Sequence, residues 1–124
     1  MAIATWLAAR PEVEAVNYPG LETHLQHDVA ARQMRGYGGM LSFSLRGGFE
    51  AVKRVLPRMR LAHLAANLGA VETLAGVPAT TSHVECTAAE RAAMGIPEGL
   101  VRYSVGIEDA VDLIADLEQA FSVA

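Results

Sequence analysis

Arg102 lies in a run, residues 100–105, where apolar and polar residues alternate. Such alternation reads as a half-buried strand, with Val101, Tyr103 and Val105 on one face and Arg102 and Ser104 on the other. An arginine fixed mid-strand after the turn residues Pro97 and Gly99 could hold a small carboxylate by two parallel hydrogen bonds. The competing reading is a solvent-facing charge on the open side of a sheet, which alternation favours by default. His24 and His27 are three apart on a predicted helix and could share a face, but nothing nearby completes a metal-ligand set. His83 and Cys86 have a similar spacing without a second half, and no partner marks Cys86 as a nucleophile. Gly36-Tyr37-Gly38-Gly39 precedes a predicted strand, whereas a phosphate-cradling loop normally opens a helix. Lys53 is the sole lysine, beside Arg54 on the solvent side of a predicted helix.

The elements that must position these groups follow from periodicity and punctuation. Residues 2–10 read as a helix stopped before Pro11, and residues 12–18 as a strand closed by a Pro19-Gly20 turn. Residues 22–35 read as a helix ending at Gly36, and residues 40–46 as a strand with Leu41, Phe43 and Leu45 inward. After Gly47-Gly48 a helix runs to Leu56, with Phe49, Val52 and Leu56 apolar and Glu50 paired with Arg54. Residues 61–65 read as a strand, and residues 67–84 as a long excursion with one or two short strands. Thr87 and Glu90 are spaced as a capping box for a helix to Met94. A last helix carries the stripe Ile107, Val111, Ile114, Leu117 and Phe121, with Glu108, Asp109 and Asp112 at its positive end. The expected fold is α+β, a mostly antiparallel sheet with helices packed on one face.

Composition narrows the function classes. The 124 residues suit one domain, residues 1–124, able to bury a core. They are 52% hydrophobic and 19% charged, a globular profile. A net charge of −4 argues against a nucleic-acid partner, which needs clustered Lys and Arg. Cys86 is the only cysteine, so no disulfide forms within the chain, in keeping with a cytoplasmic location. No membrane association is expected: the most apolar stretch, residues 61–79, is interrupted by His63, Asn67 and Glu72.

Tyr18-Pro19-Gly20-Leu21 and the run from Arg32 through Gly36-Tyr37-Gly38-Gly39 to Phe43 carry a resemblance. It continues through Leu68-Gly69-Ala70-Val71-Glu72-Thr73-Leu74 and Pro78-Ala79-Thr80-Thr81-Ser82-His83. It closes with Gly99-Leu100-Val101-Arg102-Tyr103-Ser104-Val105-Gly106-Ile107-Glu108-Asp109 and Asp112-Leu113-Ile114-Ala115-Asp116-Leu117. In this order the segments resemble the C-terminal domain of the pyridoxal-phosphate (PLP) transsulfuration enzymes. These are the cystathionine γ-synthases and γ-lyases, methionine γ-lyases and O-acylhomoserine sulfhydrylases.

The resemblance implies the small C-terminal domain of a fold-type I PLP enzyme. Its parent would catalyse γ-elimination or γ-replacement on a sulfur-containing or O-acylated amino acid. Arg102 matches the family's α-carboxylate-binding arginine, which reverses the default reading above. Asn67-Leu68-Gly69 stands where the family usually has Ser-Leu-Gly, so Asn67 and Leu68 are implied at the substrate, Asn67 with an amide in place of the serine hydroxyl. Ala66 stands where cystathionine-handling enzymes often carry glutamate. It resembles the methionine γ-lyase pattern and implies a substrate without a distal amino group. PLP belongs to the full-length parent. The family's PLP lysine, pyridinium-binding aspartate and ring-stacking tyrosine lie on an N-terminal domain absent from these residues. No catalytic, cofactor-binding or metal residue is therefore expected here, and no PLP bound to this chain alone. The implied partners are the amino-acid substrate, through its carboxylate, and the missing domain. Self-association through the uncovered face is also expected. The alternative is a non-catalytic domain that lives alone and partners a family enzyme.

Overall fold

The computed structural model describes residues 1–124. Ala2–Ala8 forms α1, which turns Ile3, Ala4 and Leu7 inward. Four residues, Ala9 to Glu12 with Pro11 among them, separate it from β1, Val13–Asn17. α2 spans only His27–Gln33, shorter than its apolar pattern predicts. Residues 21–27 instead close successive turns, Leu21 N–H to Tyr18 O at 3.0 Å, His24 to Leu21 at 3.0 Å and His27 to His24 at 2.9 Å. This stretch follows Pro19-Gly20 and has no side-chain cap to start a helix earlier.

β2 is Met40–Leu45, α3 is Gly48–Val55, and a 3-10 turn at Leu56–Arg58 follows, with Pro57 starting the tighter winding. β3 is His63–Leu64 and β4 is Leu74–Gly76, the short strands of the long excursion. α4, Ala88–Ala93, carries the expected capping box: Thr87 N–H donates to Glu90 Oε2 at 2.7 Å and Glu90 N–H returns to Thr87 Oγ1 at 3.3 Å. β5 is Leu100–Ser104 and α5 is Ala110–Phe121.

The strands make one sheet in the order β1-β2-β5-β4-β3, antiparallel except for the β3–β4 pair. Leu41, Phe43 and Leu45 of β2 and Val101 and Tyr103 of β5 face one side and are fully or nearly fully buried. There they join Leu7 of α1, Val52 and Val55 of α3, and Leu113, Leu117 and Phe121 of α5 in one core. α1, α3 and α5 thus cover that face, while α4 buries nothing and α2 only Ala30. No helix is long and apolar enough to cross a membrane.

Two further sequence expectations change. The stripe assigned to the last helix misplaces its start: Ile107 precedes α5, Val111 lies on its outer side, and both are mostly exposed. Asp109 caps the helix through Oδ1, which accepts Val111 N–H at 2.9 Å, and the buried face is Leu113, Asp116, Leu117, Ala120 and Phe121. On α3, Glu50 pairs with Lys53 at 2.6 Å rather than Arg54, whose Nε donates to Val123 O at 3.2 Å.

Candidate functional site

The face opposite the helices carries Arg102. Register places Asn17, Ser42, Arg102 and Gly76 side by side across β1, β2, β5 and β4. Next to Arg102 the row ends in a glycine, and the guanidinium uses that space. Its Nη2 donates to Ala66 O at 2.5 Å and to Asn67 O at 2.9 Å. A Cβ on Gly76 would lie 3.0 Å from Arg102 Nη2 and 2.7 Å from Ala65 O. The residue after Ala75 must therefore lack a side chain for the arginine to fold across β4. We expect Gly76→Ala to cost about 1–3 kcal/mol through that overlap. Urea unfolding would give this value, and the Arg102 Nε–H resonance should shift in the same variant.

With Nη2 anchored, the remaining guanidinium hydrogens, on Nε and Nη1, have no acceptor in the chain. Arg102 forms no ion pair either. A tethered fork with free donors can receive a carboxylate without first ordering the side chain. Beside it is an open pocket of about 220 Å³ lined by Leu64, Ala65, Ala66, Gly76, Val77 and Thr81, among others. Ala66 lines this pocket and gives its carbonyl to Arg102. Asn67 meets Arg102 through its backbone carbonyl, and its side chain makes no hydrogen bond. Leu68 is 57% exposed and touches solvent rather than core.

The segment bearing these residues is held by side chains absent from the sequence-derived site. Ser104 Oγ accepts Gly69 N–H at 2.9 Å. Thr73, fully buried, accepts Gly106 N–H on Oγ1 at 2.9 Å. It donates its amide to Glu108 Oε1 at 2.8 Å and its hydroxyl to Glu108 Oε2 at 2.7 Å. Desolvation pushes the Glu108 carboxyl up, but the two Thr73 donors outweigh it, aided by His63, and hold it below the usual carboxylate range. The sequence pattern suggests a helix-dipole charge for Glu108, but it precedes α5 and turns back to Thr73 instead. The available signal was alternation: Arg102, Ser104, Gly106 and Glu108 continue one face of β5 at a spacing of two.

The other candidates stay apart from this site. His24 Nδ1 accepts Gln26 N–H at 3.2 Å, and His27 Nδ1 lies 2.9 Å from Pro19 O, so the two serve turns. His83 Nδ1 lies 2.8 Å from Ser82 Oγ, and the carbonyls of His83 and Cys86 accept from Arg91 Nη1. No three His, Cys, Asp or Glu side chains gather in metal-binding reach. Val105 N–H meets Gly39 O at 2.9 Å, so the glycine-rich run serves the turn into β2. Lys53 lies on α3, which packs on the helical side of the sheet, and its Nζ is 5.7 Å from the Phe49 ring centroid. That amine is half exposed, ion-paired, and remote in the fold from the Arg102 face.

The model of the family described as Cys/Met metabolism PLP-dependent enzyme matches residues 1–122. An L-methionine gamma-lyase of Fusobacterium nucleatum subsp. polymorphum is 50% identical over 117 residues, 94% of this chain and 30% of that protein. A cystathionine gamma-lyase of Mus musculus is 44% identical over 124 residues, 100% of this chain and 31% of the mouse protein. Among solved structures, a cystathionine gamma synthase from Xanthomonas oryzae pv. oryzae in complex with cystathionine superposes with a TM-score of 0.91 at 47% identity. The match covers 98% of this chain and 31% of that one. The chain thus spans about three tenths of the length of the curated relatives it matches.

Proposed function

The chain belongs to the PLP-dependent enzymes of cysteine and methionine metabolism, and from that premise we propose that it is the C-terminal, substrate-binding domain of such an enzyme. The parent carries out γ-elimination or γ-replacement on a sulfur-containing or O-acylated amino acid. One observation carries the domain's role: a guanidinium fixed through Nη2 to two carbonyls while its other donors stay free. Arg102 takes the substrate α-carboxylate on those donors and so orients the α-carbon. Asn67 and Leu68 border the bound amino acid, and the apolar wall that includes Ala66 receives its side chain. An unpaired distal ammonium would be poorly received by that wall, so the reading favours a substrate without one.

Residues of this chain do not fit PLP itself. Its only amine-bearing side chain is the ion-paired Lys53 on the helical side, and a PLP enzyme needs a lysine amine facing its substrate. When bound to the parent, the cofactor supplies an electron sink for the substrate α-carbon. The groups that hold it then belong to a partner domain. That domain meets the face where Leu64, Leu68, Val71 and Ile107 stand exposed.

Mixing PLP with this chain should give no Schiff-base absorption that survives dialysis. Adding the PLP-bearing domain of a family enzyme should restore both colour and turnover. A stable band that Lys53→Arg removes would overturn the reading. Tight association without turnover would favour a stand-alone interaction domain instead.

A further inference from the structure

We propose that Glu108 is the positioning residue of the Arg102 site, acting through Thr73 on the segment whose carbonyls tether the guanidinium. This deepens the carboxylate-binding reading above and rests on it for its ligand. β5 and its extension meet residues 66–73 at every second position. Arg102 takes Ala66 O and Asn67 O, Ser104 takes Gly69 N–H, Gly106 gives its amide to Thr73, and Glu108 receives both Thr73 donors. Between the last two, Ile107 N–H donates to Val71 O at 2.9 Å. The result is a zipper that lays an otherwise exposed segment along the open face of the strand.

Its two ends differ in strength. At the Arg102 end the contacts are exposed to water, and the residues between, 66–72, are themselves exposed. At the other end Thr73 is fully buried and its amide and hydroxyl both reach one carboxylate. Both ends use charge-assisted bonds, but those made by buried Thr73 are better shielded from water, so the Glu108 end anchors the segment and the Arg102 end inherits its position. Gly106 makes the approach possible: a Cβ there would run into Val71 O and lie 2.6 Å from Glu108 Oε2. Thr73 also lies immediately before β4, and its carbonyl accepts His63 N–H at 2.9 Å, so both flanks of the segment converge on it. Glu108 never reaches Arg102 itself.

Thr73→Val removes the hydroxyl at nearly constant volume, Thr73→Ser keeps it, and Glu108→Gln weakens the acceptor. In the full 124-residue chain, hydrogen exchange at the Gly69 and Thr73 amides should quicken about tenfold in Thr73→Val and Glu108→Gln. The Val101 and Tyr103 amides should keep their protection. The Arg102 Nε–H and Asn67 amide resonances should move in both variants, and the half-saturation concentration for L-norleucine at Arg102 should rise several-fold. Thr73→Ser should restore the wild-type values. If Glu108→Gln fails to fold, the Thr73 pair carries the comparison alone. Arg102 and Asn67 resonances unmoved in Thr73→Val would overturn the proposal, as would a Thr73→Ser variant as perturbed as Thr73→Val. Resonances that move as stated, in a wild-type chain that L-norleucine leaves unshifted, would uphold the positioning role and sink the carboxylate reading instead.

Discussion

Arg102→Lys should weaken binding of an amino-acid carboxylate by roughly ten- to a hundredfold, the worth of about 1.5–3 kcal/mol for a hydrogen bond to a charged group. In the proposed site the wild-type side chain does two jobs at once. Nη2 is spent on Ala66 O and Asn67 O, and the rest of the fork is free for the ligand. A lysine ammonium is a single point of charge on a flexible stem. If it donates to the two carbonyls it sits back from the ligand, and if it follows the ligand it leaves the carbonyls and must be ordered anew. Arg102→Met should lose binding at least as completely, because no donor remains. In the assembled enzyme both changes should raise KM more than they lower kcat, since the proposed site would hold the carboxylate in ground and transition states alike. Titration of the chain with L-norleucine, followed at the Asn67 and Gly69 amides, reads the first effect directly. Lysine and methionine variants that bind as well as the wild type would remove Arg102 from the site.

How much of this was visible in the residues depends on the range of the forces involved. β2 and β5 were legible because each buries one face, and a half-buried strand writes its period of two into its own residues. The α4 capping box was legible for the same reason, being complete within four residues. α2 was overextended because residues 22–26 look helical, yet the turns that follow Pro19-Gly20 absorb them. Ile107 and Val111 misled the reading of α5 because they fit a helical period while facing outward, and only packing decides which apolar residues are inside.

At the site, strand position made Arg102 a candidate, and the family resemblance selected it over a plain surface charge. Its tether stayed hidden, since Ala66 O and Asn67 O are backbone groups more than thirty residues away. Gly76 was hidden too: its purpose is an empty volume across the ladder, and no pattern along β4 records it. Glu108 was visible as a charge but credited to the wrong neighbour, the helix dipole, because its partner Thr73 is 35 residues upstream.

Asp116→Ala should destabilise the fold by about 3 kcal/mol, a large share of the 5–15 kcal/mol that holds a domain of this size. Asp116 is buried on the inward side of α5 and accepts where three successive amides arrive. Oδ1 takes Arg60 N–H at 2.8 Å, and Oδ2 takes Leu61 N–H at 2.9 Å and Ala62 N–H at 3.4 Å. Gln119 Nε2 adds a fourth donor to Oδ1 at 3.1 Å. Alanine leaves these amides without an acceptor, and only those near the surface can turn to water. Asp116→Asn should cost less than alanine, since one carbonyl oxygen survives, yet its NH2 would face an amide that can only donate. The exposed Asp112, one turn earlier on the same helix, is the control: Asp112→Ala should stay within about 0.5 kcal/mol. Urea midpoints at constant slope separate the three variants. The loss has a second consequence, because residues 60–62 lead directly into β3 and then into Ala66 and Asn67. A destabilised Asp116→Ala should therefore also lose hydrogen-exchange protection first at His63 and Ala65, whose amides bond Thr73 O and Ala75 O across the β3–β4 pair. If Asp116→Ala unfolds at the same urea concentration as Asp112→Ala, those three amides are satisfied by water and the carboxylate is not what pins the approach to the site.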